Sequence, residues 1–510
     1  MTEWWNAIKK KVTVMKKRGL ILIIMLALFT GSFAQLVDDA LRYSQVFYTG
    51  TARFTAMGGA FTALGGDLSS LSQNPAGLGV FRSSEISVTP QLFHISSAAS
   101  LNGNTTSDYM YNFNLAQGGI VANLINNDTE TGLVSLNFGY SYNKTNNMNQ
   151  SIILESTSDY SSMADLWTDK AEGYFRDELI DEVPDSYLAW ETWLIDSLPG
   201  YNTSYGTVFS NYGDNPPSVY GQNVRRLVNF GGYTGEHALS IGGNLSNKLF
   251  FGATLGISHL TYSSKYEHAE STDVPLTSEF ESFNYTFYYS NTGTGFGLKM
   301  GAIYRPLEIL RLGFAFHSPV LYKINEYAYD NMSSHFTDGG RYEASNEPER
   351  YNYALTTPFR AMAGAALQIK KLALVSIDYE FVDYSTARFS ETGDGYNYSE
   401  KNSIIKSTLR SSGNLRLGAE FRLNRFYLRG GYGYYGKAWE SNDLNTNLDY
   451  NTISLGGGFR EQNIFVDFSY TGMMNTENYI LYSSSAETLS ASMDVDRNIF
   501  TLTFGYKFGY

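Results

Sequence analysis

The stretch NIFTLTFGYKFGY (Asn498–Tyr510) decides how the chain is read. In an extended backbone successive side chains point to opposite faces. Phe500, Leu502, Phe504, Tyr506, Phe508 and Tyr510 then share one side, and Thr501, Thr503, Gly505, Lys507 and Gly509 the other. The same period of two runs through GLVSLNFGYSY (Gly132–Tyr142), LFFGATLGIS (Leu249–Ser258) and NLRLGAEFRL (Asn414–Leu423). A soluble sandwich shows this alternation too. Here, however, the polar side carries Gly, Ser, Thr and opposed charges, as a wet lumen would, and Tyr and Phe gather near strand ends, where membrane barrels carry aromatic girdles.

Segments of this kind number about fourteen, an even count as single-chain bacterial barrels require. They fall at 85–93, 112–124, 132–142, 237–246, 248–262, 291–304, 310–324, 351–368, 371–384, 406–424, 426–438, 450–460, 463–473 and 497–510. Tight connections at Ser246-Asn247-Lys248, Arg305-Pro306-Leu307, Gln368–Lys371, Leu423–Arg425 and Arg460–Asn463 alternate with long ones at 143–236, 263–290, 325–350, 385–405, 439–449 and 474–496. Short turns on one side and long loops on the other predict an all-β, antiparallel transmembrane barrel in the outer membrane with both termini in the periplasm.

Export agrees with this. Lys16, Lys17 and Arg18 precede the apolar run Leu20–Phe29 and the small residues up to Ala34, so residues 1–34 read as a cleaved signal peptide. The run is short for a spanning helix. The mean hydropathy of −0.25 is low, yet 15% of residues are aromatic and 48 are Gly. Zero cysteines exclude disulfides and thiolate metal sites. The formal charge is −13, and losing residues 1–34, with six Lys/Arg and one Glu, leaves −18. Such an acidic chain is a poor nucleic-acid binder.

Residues 35–84 do not alternate. A helical start at Val37–Gln45 leads into TARFTAMGGAFTALGGDLSSLSQNPAGLGVF (Thr51–Phe81). Small residues let backbones pack closely, and Asn74-Pro75 signals a turn. Phe54, Met57, Phe61, Leu64, Leu71 and Leu78 are too many apolar groups for a solvated linker, so 35–84 is expected to fold as a plug and 85–510 as the barrel.

At this point the chain resembles the outer-membrane long-chain fatty-acid and aromatic-hydrocarbon transporters (the FadL/TodX/OmpP1 group). The resemblance rests on Ala56–Gly66, on the hatch motif Asn74-Pro75-Ala76-Gly77-Leu78, on Gly295–Pro319 and on Thr357–Ser385, with hatch wording like that of Bacteroidota members. It implies a fourteen-stranded barrel, a hatch in the lumen and uptake of hydrophobic molecules. Some relatives are instead partners in larger outer-membrane complexes. The enlarged loop 143–236 departs from the transporters. Its AWETWLIDSLPGY (Ala189–Tyr201) reads as a short amphipathic helix, and Trp190, Trp193 and Leu194 form either an external capture site or a loop core packed on itself.

By the alternation Lys299, Arg311, Asp378, Glu380, Arg416, Glu420, Arg422, Arg429, Arg460 and Asp467 point inward. They either dock and gate the plug through charge-assisted hydrogen bonds or form a solvated ladder. GYGYYG (Gly431–Gly436) fits a dinucleotide fingerprint but lies within an alternating strand, so its glycines read as strand glycines. The six His show no metal spacing, and no G-x-S-x-G elbow occurs. No enzyme and no cofactor is expected. The expected function is hatch-gated uptake of long-chain fatty acids or similar apolar compounds, with membrane lipid and a hydrophobic small molecule as partners. The resemblance implies release sideways through the wall, expected near strand 132–142, with Gly139 as the kink. The alternative is a closed scaffold in a larger outer-membrane protein complex.

Overall fold

The computed structural model describes residues 30–509, except 128, 211–218, 274, 275, 277, 394 and 442. The expected signal segment lies, up to residue 29, outside the described residues. Fourteen antiparallel strands form one closed barrel. They are β1 Ser84–Leu101, β2 Asn104–Asn126, β3 Leu133–Asn147 continuing as Gln150–Ser158, β4 Gln222–Leu245 and β5 Leu249–Ser271. Then come β6 Phe280–Leu307, β7 Leu310–His317 continuing as Leu321–Phe336, β8 Glu349–Thr356 continuing as Arg360–Ile369, and β9 Ala373–Asp383 with Arg388–Glu391. The last are β10 Ser411–Leu423, β11 Phe426–Tyr435, β12 Tyr450–Glu461, β13 Ile464–Ser483 and β14 Thr488–Phe508. Pairing of β1 with β14, from Ser84↔Phe508 to Ser100↔Ser492, closes the ring.

The tight turns behave as their residues dictate. Ser246 and Asn247 both take φ of +55°, and Asn424 takes +58°, the left-handed conformation that two-residue hairpins demand and that Asn tolerates.

The strands run further than the alternation alone suggests, and the extension has its own logic. On β14 near the tight-turn end, Phe500, Phe504 and Tyr506 are exposed outward while Thr501 and Thr503 are buried inward. Further up, the sense inverts: Met493 and Val495 are buried inside, and Ser492, Asp494 and Asp496 face out. β1 inverts at the same level, with Ile86, Val88 and Leu92 outward below and Phe93, Ile95 and Leu101 inward above. The lower zone is dressed for lipid outside and a polar lumen inside. The upper zone is dressed for water outside and an apolar interior. Much of the expected loops at 263–290, 325–350 and 474–496 is therefore strand.

Two other expectations shift. The segment 406–424 begins as a helix, Ser399–Thr408, and becomes strand only at Ser411. In the long loop the helix is Pro184–Glu191 rather than Ala189–Tyr201. Pro184 stands in its first turn, and Trp193, at φ +59°, breaks the chain direction.

The N-terminal segment begins with α1 Thr30–Ser44, and the hatch below it fills the lower lumen with α2 Ala52–Ala56, α3 Ser70–Gln73 and a 3₁₀ turn Pro75–Val80. Phe54, Met57 and Phe61 make its small core against Ala315, Met362 and Ala366 of the wall. α1 lies in the lumen above this core, where Val37, Ala40 and Leu41 pack with Tyr262, Tyr289 and Ile324. The first described residues are thus inside the barrel rather than at its tight-turn end, because the apolar face of α1 finds apolar wall only there.

Candidate functional site

The hatch meets the wall through close backbone approach and through charged side chains. A Cβ added at Gly313 would stand 2.0 Å from Thr62 O, and one at Gly252 would stand 2.2 Å from Pro75 O. Only a wall residue without a side chain lets the plug lie this near. Gly431, of the GYGYYG stretch, meets the Gly58 nitrogen in the same way.

The hatch motif closes on itself. Asn74 Nδ2 donates to Thr62 O at 2.6 Å, and its Oδ1 accepts from Ala76 N–H at 3.1 Å, which sets Pro75 at the start of the turn. Gly77 O accepts from Gly66 N–H at 3.0 Å, with Gly77 pressed on Gly65. Around it the wall charges converge. Lys299 donates to Ser72 O at 2.7 Å and pairs with Glu236 at 2.6 Å. Asp378 accepts the Thr62 N–H at 2.8 Å, and Arg311 donates to Leu64 O at 2.8 Å. Glu420 takes Arg53 of the hatch at 2.9 Å and Arg429 at 2.6 Å, and Arg429 reaches Asp467 at 2.6 Å.

Glu380 pairs with Arg360 and Arg416 within the wall, and Arg416 lies over the ring of hatch residue Tyr48 at 4.7 Å. Arg460 stacks on Tyr427 at 4.7 Å. Arg422 keeps the inward parity but stands exposed at the tight-turn end of the lumen, over the Tyr427 ring at 5.5 Å and donating to Asn424 O. The alternation missed Arg53 and Glu236, the first because it sits on the plug and the second because it is the last residue of the expected long loop 143–236, whereas the strand already begins at Gln222.

Above the hatch the lumen is not filled. A cavity of about 1710 Å³ is lined by Val37, Leu41 and Arg42 of α1, by Phe230, Tyr262, Tyr289 and Phe287 of the wall, and by Met163 and Leu166 of the long loop. That exceeds the few hundred to about 1,000 Å³ usual for small-molecule sites. Its polar groups include Asp38, Asp185, Asp330 and Glu477.

The long loop is seated in the mouth over this cavity. Ser162 caps the helix Met163–Ala171, and Trp167 is fully buried against Phe283 and Tyr285 at 5.5 and 5.3 Å. Glu270, at the outer end of β5, accepts from Ser162 Oγ at 2.7 Å, Met163 N–H at 2.7 Å and Gln222 Nε2 at 2.9 Å. Burial lifts the Asp165 carboxyl in this helix to about 6, against the Ser162 N–H and the Tyr220 hydroxyl that favour its charge.

The three expected capture residues part company. Leu194 is fully buried in the loop core. Trp190 is half-buried with Arg176 over its ring at 3.8 Å. Trp193 is exposed beside Tyr342. None of the three lines the cavity.

One seam of the wall lacks ladder bonds over part of its length. The β2–β3 ladder runs from Asn126↔Ser135 to Gln117↔Asn143 and stops. Meanwhile β1–β2 continues to Leu101↔Asn104 and β3 stays with β4 to Asn147↔Tyr233 and beyond. Residues 104–116 of β2 thus face β3 without ladder bonds, bridged only by side chains such as Asn147 Nδ2 to Asn112 Oδ1 at 3.3 Å and Asn104 Nδ2 to Glu155 O at 2.6 Å. The break comes from a bulge at Lys144–Asn149 opposite Gly232, at φ +128°. Gly139, the expected kink, stays in the ladder on both sides and receives Leu71 of the hatch instead. Lys144 and Asn146–Gln150 also line the cavity, so cavity and seam meet. Unpaired strand edges do not persist in lipid unless they border protein or a cavity.

The comparisons agree with this architecture. The structure is similar to that of a Pseudomonas aeruginosa FadL homologue, with a TM-score of 0.54 and 14% identity, covering 91% of this chain and 100% of the other. It is also similar to the P. putida toluene transporter TodX, with a TM-score of 0.53 and 13% identity over 91% and 100% of the two chains. At these identities the likeness is one of fold. No curated protein matches in sequence. The model of the outer membrane protein transport proteins (OMPP1/FadL/TodX) matches residues 240–508, more than half of the chain. The chain belongs to that family, whose members are outer-membrane β-barrel transport proteins.

Proposed function

We propose that the protein takes up hydrophobic small molecules, long-chain fatty acids or similar apolar compounds, through the outer membrane. The observation that carries this is the large cavity between the seated loop and the hatch, where aromatic and aliphatic side chains alternate with polar ones and where the β3 side of the β2–β3 seam is reached. Cargo enters under the loop, rests above the hatch beside α1 and leaves sideways at the seam, with the C-terminal end of the barrel on the periplasmic side of that path. The wall charges Lys299, Arg311, Asp378, Glu420 and Arg429, with Arg53, hold the hatch, and the Asn74–Gly77 motif keeps it compact; ligand binding shifts a hatch that already samples looser states. A closed scaffold would need no cavity of this size, which favours transport over that reading.

The test is oleate uptake by cells lacking the gene, with and without the restored protein, together with native mass spectrometry of the detergent-purified barrel. Restored uptake and a co-purifying lipid are expected. Unchanged uptake together with an empty barrel would refute the proposal.

A further inference from the structure

Beside the seam, on the outer surface, one ammonium and five rings are drawn together. Tyr140 and Tyr142 come from β3, Tyr233 and His237 from β4, and His259 from β5. Tyr140 Oη bonds His237 Nδ1 at 2.9 Å. His237 and His259 lie 5.8 Å apart between ring centres, and Tyr233 meets His259 at 5.2 Å. Lys144, at the bulge itself, places Nζ 4.4 Å from the centre of the Tyr233 ring. Gly235 makes room for this. A Cβ there would stand 2.8 Å from both His259 Cε1 and the Tyr142 hydroxyl.

The height of the cluster is defined by its neighbours on the same outward faces. Below it stand Phe138, Leu239 and Leu255, all exposed and apolar; above it stand Asn229, Thr261 and Ser263. It therefore lies at the edge of the apolar belt, at head-group level. Lys144 is only 6% exposed, yet among the described residues no carboxylate pairs with it, with His237 or with His259. The buried lumen cations Lys299 and Arg429 each have a carboxylate partner. An ammonium withdrawn from water without a counter-charge is costly, and one ring face offsets only part of that.

We propose that this pocket binds the anionic head, carboxylate or phosphate, of a membrane-lodged amphiphile, with Lys144 as counter-charge and the two histidines as further donors. The head belongs either to cargo leaving the seam, which rests on the lateral route proposed above, or to a resident membrane lipid, which does not.

The full-length barrel and its Lys144→Met and Lys144→Arg variants are compared in detergent by native mass spectrometry. The probes are oleate against methyl oleate, and phosphatidylglycerol against phosphatidylcholine. Lys144 meets the hatch through its carbonyl, which accepts from Thr49 Oγ1 at 2.8 Å and which a side-chain change leaves in place, and unchanged heat-modified gel migration checks that each variant has folded. Lys144→Met is expected to weaken at least one anionic probe about tenfold, the scale of one charge-assisted contact, while Lys144→Arg retains it and the neutral partners are unmoved. Loss of oleate alone assigns the site to cargo, and loss of phosphatidylglycerol alone assigns it to resident lipid. If neither anionic probe weakens, or methyl oleate weakens as much as oleate, the site is refuted. Uptake by the gene-deleted cells is measured in parallel. Uptake that depends on the protein but is indifferent to Lys144 overturns the cargo assignment of this site and leaves the transport reading standing.

Discussion

Replacing Glu420 by Gln removes the charge that joins plug to wall while keeping the side chain's shape. Glu420 holds Arg53 of the hatch at 2.9 Å and Arg429 of the wall at 2.6 Å, and the side chains of Glu420, Arg53 and Arg429 are 9%, 12% and 0% exposed. Without the carboxylate, Arg53 faces Arg429 with Asp467 as the nearest remaining acid, and its other bond is to Gly66 O at 3.2 Å within the hatch. Breaking a buried pair on one side costs about 3–5 kcal/mol. The Gln carbonyl still accepts one bond, so the lower end applies. At roughly 1.4 kcal/mol per tenfold, about 3 kcal/mol raises the opening equilibrium of the plug some hundredfold. Amide hydrogen exchange of the purified barrel reads this directly. Protection of residues 52–66 is expected to fall about a hundredfold while β6 and β14 amides keep theirs. The double change Arg53→Met with Glu420→Met should recover most of the loss, since removing both partners of a buried pair is often neutral. A fall of less than about threefold at 52–66, or an equal fall in the wall, refutes the argument that this pair holds the hatch.

Gly313→Val drives a side chain into Thr62 O and should expose the hatch to limited proteolysis, whereas Gly457→Ala, whose Cβ meets only Tyr427 O at 3.7 Å, should be silent. Glu270→Ala strips acceptors from Ser162, Met163 and Gln222. A loss of about 2–3 kcal/mol in loop docking is expected, seen as a red shift of Trp167 fluorescence. Asp165, raised by burial to about 6 from 3.8, binds a proton more tightly when the loop is seated. Docking is therefore firmest below about pH 4, weakens as pH rises through 6 and is level above it, and Asp165→Asn should flatten that dependence in loop hydrogen exchange. Because the chain has no cysteine, Asn112→Cys with Asn147→Cys can lock the seam without background. Oxidation should stop oleate uptake and reductant should restore it, and uptake indifferent to the lock would rule out the lateral route.

The barrel was legible because a strand wall has one repeat. Lipid and lumen demand opposite side chains, and a period of two records that demand along most of stretches such as Gly132–Tyr142 and Asn498–Phe508. The plug was legible from Phe54, Met57 and Phe61, too apolar for a linker and now its core. Most of the inward charges could likewise be named, since parity assigns the face. Parity does not assign the partner. That Glu420 meets Arg53, 367 residues earlier, or that Asp378 meets Thr62, is set by how the plug lies in the lumen. Trp190, Trp193 and Leu194, close in sequence, were parted because the chain reverses at Trp193.

The sequence by itself determined an outer-membrane barrel, its faces, its tight turns and its plug, because these follow from local geometry and from the two solvents on either side of a strand. Tertiary structure alone decided the rest. The upper strands invert their alternation because water lies outside them and an apolar interior within, so they read as loops until both environments are known. The β2–β3 seam depends on a bulge at Lys144–Asn149 against Gly232, a mismatch between two strands that neither strand records alone.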